Sequence, residues 1–174
     1  HWEWIVLAAA GSMLITMGAR QSIGLFVAPL DLATGLGIAK ISLALAIGQF
    51  MWGFAQPIAG AVADRYGPGR MIGIGLVLLV TGNVLTPFMT GLPGLSFTIG
   101  VLAAGGAGCA SYSVLMGAVG LRLAPEKRGP ASGIVGAGGS LGQFIFAPLM
   151  GAIITGWGWH AAMWACAAIV ACAL

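Results

Sequence analysis

Six long apolar runs, separated by short breaks of glycine, proline or charge, organise this 174-residue chain. A helix crossing a hydrocarbon core about 30 Å thick needs about 20 mainly apolar residues, because lipid offers no partner to an open backbone N–H or C=O. The runs predict helices at roughly 4–30, 38–62, 71–90, 94–121, 131–155 and 159–174. The sixth holds about 16 residues, or about 24 Å at 1.5 Å per residue, which is short for a span. Because the chain opens at His1 and stops at Leu174 while still apolar, we expect it to be a piece of a longer protein. The first run does not read as a signal peptide: it is too long, and Arg20 interrupts its apolar region.

Composition strengthens the membrane reading. Hydrophobic residues make up 59% of the chain and charged residues 6%, against about one quarter charged in a soluble domain. The fold class expected is therefore an all-α membrane protein. The positions of the charges add an orientation, since five of the seven Lys and Arg fall in two breaks. Arg65 and Arg70, with Asp64, lie between runs two and three; Arg122, Lys127 and Arg128, with Glu126, lie between runs four and five. The opposite breaks hold only Lys40. By the positive-inside rule the two basic breaks face the cytoplasm, and an even number of spans leaves both termini there. The net charge of +3 follows from that topology and calls for no nucleic-acid partner.

Thirty glycines change the picture of how the spans meet. Small residues let membrane helices approach closely, and Gly138-Gly139-Ser140-Leu141-Gly142 and Gly69 to Gly73 are read as packing surfaces. A nucleotide-binding loop is excluded, because no glycine cluster follows a strand in a βαβ unit. Cys109, Cys166 and Cys172 all fall in predicted spans, an odd count with no metal-ligand spacing, and are read as small apolar packing residues. A weak internal repeat is also visible. Run two contains GQF at 48–50 and PIAGAVA at 57–63; run five contains GQF at 142–144 and PLMGAII at 148–154. Two three-helix repeats follow, approximately 1–91 and 92–174, and because three is odd the second is inverted in the membrane.

The residue that asks for a function is Arg20. It lies close to the middle of the first run, where a charge costs several kcal/mol and such residues face a bundle interior or a wet cavity. Tying helices together through backbone carbonyls, or snorkelling through a locally thinned bilayer, is the plain alternative. Glu3 and Asp31 sit at the ends of that run and Asp64 and Glu126 in breaks, so no acid at membrane depth neutralises Arg20. An unpaired guanidinium is an anion site, and its planar fork suits a carboxylate through two parallel hydrogen bonds. Gln21, Asn83, Ser111, Tyr112 and Gln143 are polar residues of the spans that can complete it. An enzyme is not expected, and no residue is assigned a catalytic role. Ser111 and Ser113 would need a base within hydrogen-bond reach, and apart from His1 the chain offers only His160, at the opposite membrane face among Trp157, Trp159 and Trp164.

The break between runs two and three reads GAVADRYGPGR from Gly60 to Arg70. It resembles the G-x-x-x-D-R-x-G signature of the major facilitator superfamily, found there between the second and third spans. Gly60, Asp64, Arg65, Gly67 and Arg70 carry the match, although Pro68-Gly69 stands where the family usually continues with adjacent basic residues. The resemblance implies that these residues latch the cytoplasmic side while the cavity faces outward. ARQSIGLFVAPL at 19–30, LAIGQFMWGFAQPIAG at 45–60 and ASGIVGAGGSLGQFIFAPLMG at 131–151 are similar to bacterial members near the monocarboxylate transporters and oxalate/formate exchangers. A twelve-helix protein of two six-helix halves is implied, with residues 1–174 as the first half, in a bacterial inner membrane. The expected function is secondary transport of a small organic anion, a carboxylate, by alternating access, with Arg20, Gln21, Asn83, Tyr112 and Gln143 at the substrate and no cofactor or metal. The alternative is a passive channel or a helical subunit without coupled transport. Expected partners are the anion, the bilayer, and a second six-helix half or a second copy of this one.

Overall fold

The computed structural model describes residues 2–174, and His1 lies outside them. Among the described residues the chain is helical throughout, with no strand. Five helices are long and apolar enough to cross a membrane: α1 (Trp2–Thr34), α2 (Ile38–Tyr66), α3 (Pro68–Phe88), α4 (Leu92–Gly120) and α5 (Pro125–Trp157). A shorter apolar helix, α6 (Trp159–Ala171), follows. The expected all-α architecture of six apolar helices is therefore the observed one, with different ends.

The ends differ because charge does not by itself stop a helix; backbone does. Asp64 and Arg65 belong to the last turn of α2, and Arg70 to the first turn of α3. What joins these helices is one residue, Gly67, at φ 96° and ψ 138°, a conformation closed to side chains with a Cβ. Pro68 then opens α3, where its missing N–H leaves no intrahelical bond unmade. The expected loop from Gly60 to Arg70 is thus two helix ends on a glycine pivot. Glu126, Lys127 and Arg128 likewise lie in the first turn of α5, opened by Pro125. Gly158, at φ 88°, divides α5 from α6 in the same way.

Helix α1 is not regular. After Gln21 it tightens to a 3-10 helix over Ser22–Phe26 before α geometry resumes at Val27. Pro29 accounts for this: it offers no N–H to the carbonyl of Leu25 and its ring crowds that oxygen, so the preceding turn must rewind. Ser22 Oγ donates to the Ala19 carbonyl at 2.9 Å and helps close the tightened turn. Helix α4 departs the other way. It widens to π geometry over Ser96–Ala104 and breaks at Ala110, restarting at Tyr112.

Glycine sets which helices touch. Helix α1 lies along α5 where Gly138 and Gly142 face the backbone carbonyls of Ala10 and Leu14, and a Cβ on either glycine would overlap those oxygens. Helix α2 lies along α4 where a Cβ at Gly48 would meet Ala104 Cβ at 3.3 Å, and one at Gly108 would meet the Trp52 carbonyl at 2.7 Å. Helices α3 and α4 meet at Gly75 against Gly106 and at Gly82 against Ala103. The glycine-rich stretch of α5 is a packing surface, as read from sequence, whereas Gly69 and Gly73 have open space beside them. Helix α1 packs along α5, α2 along α4, and α3 packs on both α4 and α6. Helix α4 is the most buried of the five long helices and α2 the least. The central core joins Phe26, Leu30, Ile41, Leu76, Leu79, Ile99, Phe146, Met150 and Met163 from all six helices.

Candidate functional site

A cavity of about 110 Å³ lies between α1, α2, α3 and α4. Arg20 and Gln21 reach it from α1, where the helix is about to tighten, so the cavity meets α1 at its irregular point. Gly48, Gln49 and Leu45 come from α2, Leu79 and Asn83 from α3, and Ile99, Ala103 and Ala104 from the widened part of α4. Depth follows from the helix bounds. Midway between Trp2 and Thr34 lies Gly18, so Arg20 is about 3 Å past the centre of α1 at 1.5 Å per residue. Gln49 is three residues before Trp52, the midpoint of Ile38–Tyr66. The polar groups gather near mid-depth, where snorkelling to the headgroups is out of reach.

Arg20 is half-buried. One of its Nη2 hydrogens is donated to Oε1 of Gln49, and its guanidinium carbon stands 4.1 Å from the ring centroid of Trp52, a distance at which the ring quadrupole attracts a cation. Gln49 and Trp52 are three residues apart on α2 and present neighbouring positions on one face. Among the described residues Arg20 has no carboxylate partner, and Arg20 is the one ionisable residue lining the cavity. A planar cation with several unspent N–H donors and apolar walls beside it can take a small anion by charge and by directed hydrogen bonds.

Asn83 is buried, and its amide nitrogen is placed to donate to Cys166 Sγ of α6 at 3.7 Å. Its other polar atom remains for the cavity. The indole Nε1–H of Trp52 is a buried donor with no acceptor among the described residues.

Of the candidate residues, Arg20, Gln21 and Asn83 are brought together, whereas Tyr112 and Gln143 lie elsewhere. Tyr112 stands beyond the break in α4 and its hydroxyl bonds to Ser132 Oγ of α5. Gln143 follows Gly142, the residue that faces α1, and one residue further turns a helical side chain by about 100°. Ser111 is buried and shares a hydrogen bond of 2.9 Å with Ser113. His160 stacks on Trp159 in the first turn of α6, whose next turn meets Phe88 at the far end of α3. Gln49 and Trp52 were not singled out from sequence, although a signal existed. Both lie in the LAIGQFMWGFAQPIAG stretch, and Gln49 is the glutamine of the GQF that repeats at 142–144.

At the Gly67 end, Asp64, Arg65 and Arg70 are all exposed, and among the described residues none of them is in an ion pair. Arg65 lies with its guanidinium 5.6 Å from the Tyr66 ring. Gly60 has open space where a Cβ would be.

Comparison with known proteins assigns the family. Monocarboxylate transporter 13 of Rattus norvegicus is 29% identical over 163 residues, covering 93% of this chain and 38% of that protein. The oxalate:formate antiporter of Oxalobacter formigenes is 29% identical over 154 residues, covering 88% and 36%. Monocarboxylate transporter 12 of Homo sapiens is 28% identical over 166 residues, covering 93% and 31%. The chain thus spans about a third of the length of these relatives, which are transporters and not enzymes. The family profile described as Major Facilitator Superfamily matches residues 9–174, nearly the whole chain. This chain belongs to the Major Facilitator Superfamily.

Proposed function

We propose that this chain is the N-terminal six-helix half of a secondary transporter that moves a small organic anion, a carboxylate, by alternating access. The observation that carries the reading is Arg20: a permanent cation at mid-depth, in a cavity, with a neutral amide and an aromatic face for neighbours instead of an acid. Holding a cation there costs several kcal/mol, and an anionic ligand recovers that cost each time it binds. The names of the relatives, monocarboxylate transporters and an oxalate:formate antiporter, point to the same chemical class. Arg20 takes the carboxylate, with Gln21 and Asn83 as further polar contacts. The two repeats, approximately 1–91 and 92–174, rock about the cavity, a division supported by the GQF and P-x-x-G-A stretches that recur in α2 and α5. The Gly67 pivot with Gly60, Asp64, Arg65 and Arg70 acts as the latch, at a cytoplasmic end to which the basic residues assign it, in a bacterial inner membrane.

A second six-helix unit completes the cavity. Gln21 and Gln49 line it yet remain exposed in this chain, and the outer faces of α2 and α5 carry exposed Phe50, Phe54 and Phe144.

The test replaces Arg20 with Gln and with Lys in the full-length protein and measures binding of formate, lactate and oxalate. Arg20→Gln should lose binding by at least about a hundredfold, a loss of about 3 kcal/mol in line with truncating one side of a buried charge pair. Arg20→Lys should retain part of it, because an ammonium keeps the charge without the fork. Unchanged affinity in both variants would reject the site. Uptake in liposomes separates transport from its alternative: accumulation against a gradient supports a secondary transporter, and dissipation alone would make the protein a passive channel.

A further inference from the structure

Gln49 stands where a counter-ion to Arg20 would stand, and it is neutral. Its Oε1 accepts a hydrogen bond from Arg20 Nη2, while Trp52, almost one turn along α2, covers a face of the same guanidinium at 4.1 Å. A glutamate in that place would differ by one atom and would satisfy Arg20 far better, since hydrogen bonds between ions are about twice as strong as neutral ones. The amide instead uses one acceptor and leaves the charge uncancelled. Most of the five guanidinium N–H donors stay open to a ligand, and Ile23, Leu45, Leu79 and Ile99 offer no competing acceptor.

We propose that Gln49 is the specificity-determining partner of Arg20: its amide holds the guanidinium against Trp52 without neutralising it, which keeps the cavity selective for anions. The inference rests on the reading that Arg20 binds the anionic group of the ligand, and adds that position 49 sets whether that charge is available. A negative charge delivered to position 49 therefore closes the site to anions, while a neutral group of the same shape does not.

The charge can be delivered after folding. In full-length protein with its other cysteines replaced, including Cys109, Cys166 and Cys172, Gln49→Cys is alkylated with iodoacetamide or with iodoacetate, the thiolate displacing iodide in both reactions. The two adducts have nearly the same shape, and one carries a carboxylate. Binding of formate and lactate is then measured, with the extent of labelling read by mass spectrometry. The expected result is affinity within about threefold of wild type for the amide adduct and at least about tenfold weaker for the carboxylate adduct. Gln49→Glu should reproduce the second result. Equal affinity of the two adducts overturns the inference, and so does an equal loss in both, which would make Gln49 a packing residue. Unmodified Arg20→Gln keeps the two readings apart. If it binds like wild type, the anion site itself fails; if it loses binding while the carboxylate adduct keeps it, only the role of Gln49 fails.

Discussion

Single atoms decide the contact between α1 and α5. Gly142 has its α-carbon so close to the carbonyl of Leu14 that no Cβ fits between them, and the obstacle is backbone, which cannot swing away as a side chain can. Gly151 on the same helix has nothing within 4 Å of where a Cβ would be, and its φ is ordinary. We expect Gly142→Ala to destabilise the protein by about 1–3 kcal/mol, the range for overpacking a fitted interface. Gly151→Ala should be neutral or slightly stabilising, since alanine is the better helix former. Melting temperatures in detergent compare the two, and equal values would show that α1 and α5 are not held by this contact. Arg20 was legible at the same scale because its charge is anomalous in its surroundings. Gln49 was not, since a glutamine in a span is unremarkable until the residue facing it is known.

Among the elements, the joint at Gly67 is the one to which a latch is assigned in our proposal. A single residue with φ 96° connects two helices of 29 and 21 residues, and three exposed charges flank it without pairing to each other. Side chains that are free in one arrangement can be engaged in another, which is what a latch requires. Asp64→Asn is expected to slow transport several-fold and to change the labelling of cysteines placed near residue 66, while the affinity for formate stays within about twofold. Lost affinity with unchanged labelling would remove the latch from the account. The apolar runs revealed every helix, because about 20 apolar residues leave the chain few other choices in lipid. The ends, the 3-10 turn at Ser22–Phe26 and the π stretch at Ser96–Ala104 stayed hidden. Charged residues continue a helix as readily as they end it, and a widened turn answers to its neighbours more than to its own residues. Pro29 was the visible clue, and it acts one turn before itself.

For the molecule as a whole, the six-helix arrangement was legible from run lengths and the family from the Gly60–Arg70 signature, whereas the composition of the cavity was not. Which polar residues share a cavity depends on the rotation of each helix, and glycine contacts set that rotation. Tyr112 and Gln143 lie in the right spans and turn elsewhere. The placement of Arg20 has an electrical consequence. Arg20 brings one positive charge to the centre of the membrane, and a bound monoanion cancels it. In the proposed cycle, the step that carries the loaded site across the field then moves one charge unit fewer than the step that returns it empty. A full unit is worth about 2.3 kcal/mol per 100 mV, enough for the membrane potential to set the rate of the empty return while leaving exchange of one anion for another nearly untouched by this residue. In potassium-clamped liposomes, formate–formate exchange should therefore respond less to voltage than net formate uptake. Lysine at position 20 should preserve that difference, and equal voltage responses would mean that the charge of Arg20 does not travel with the site.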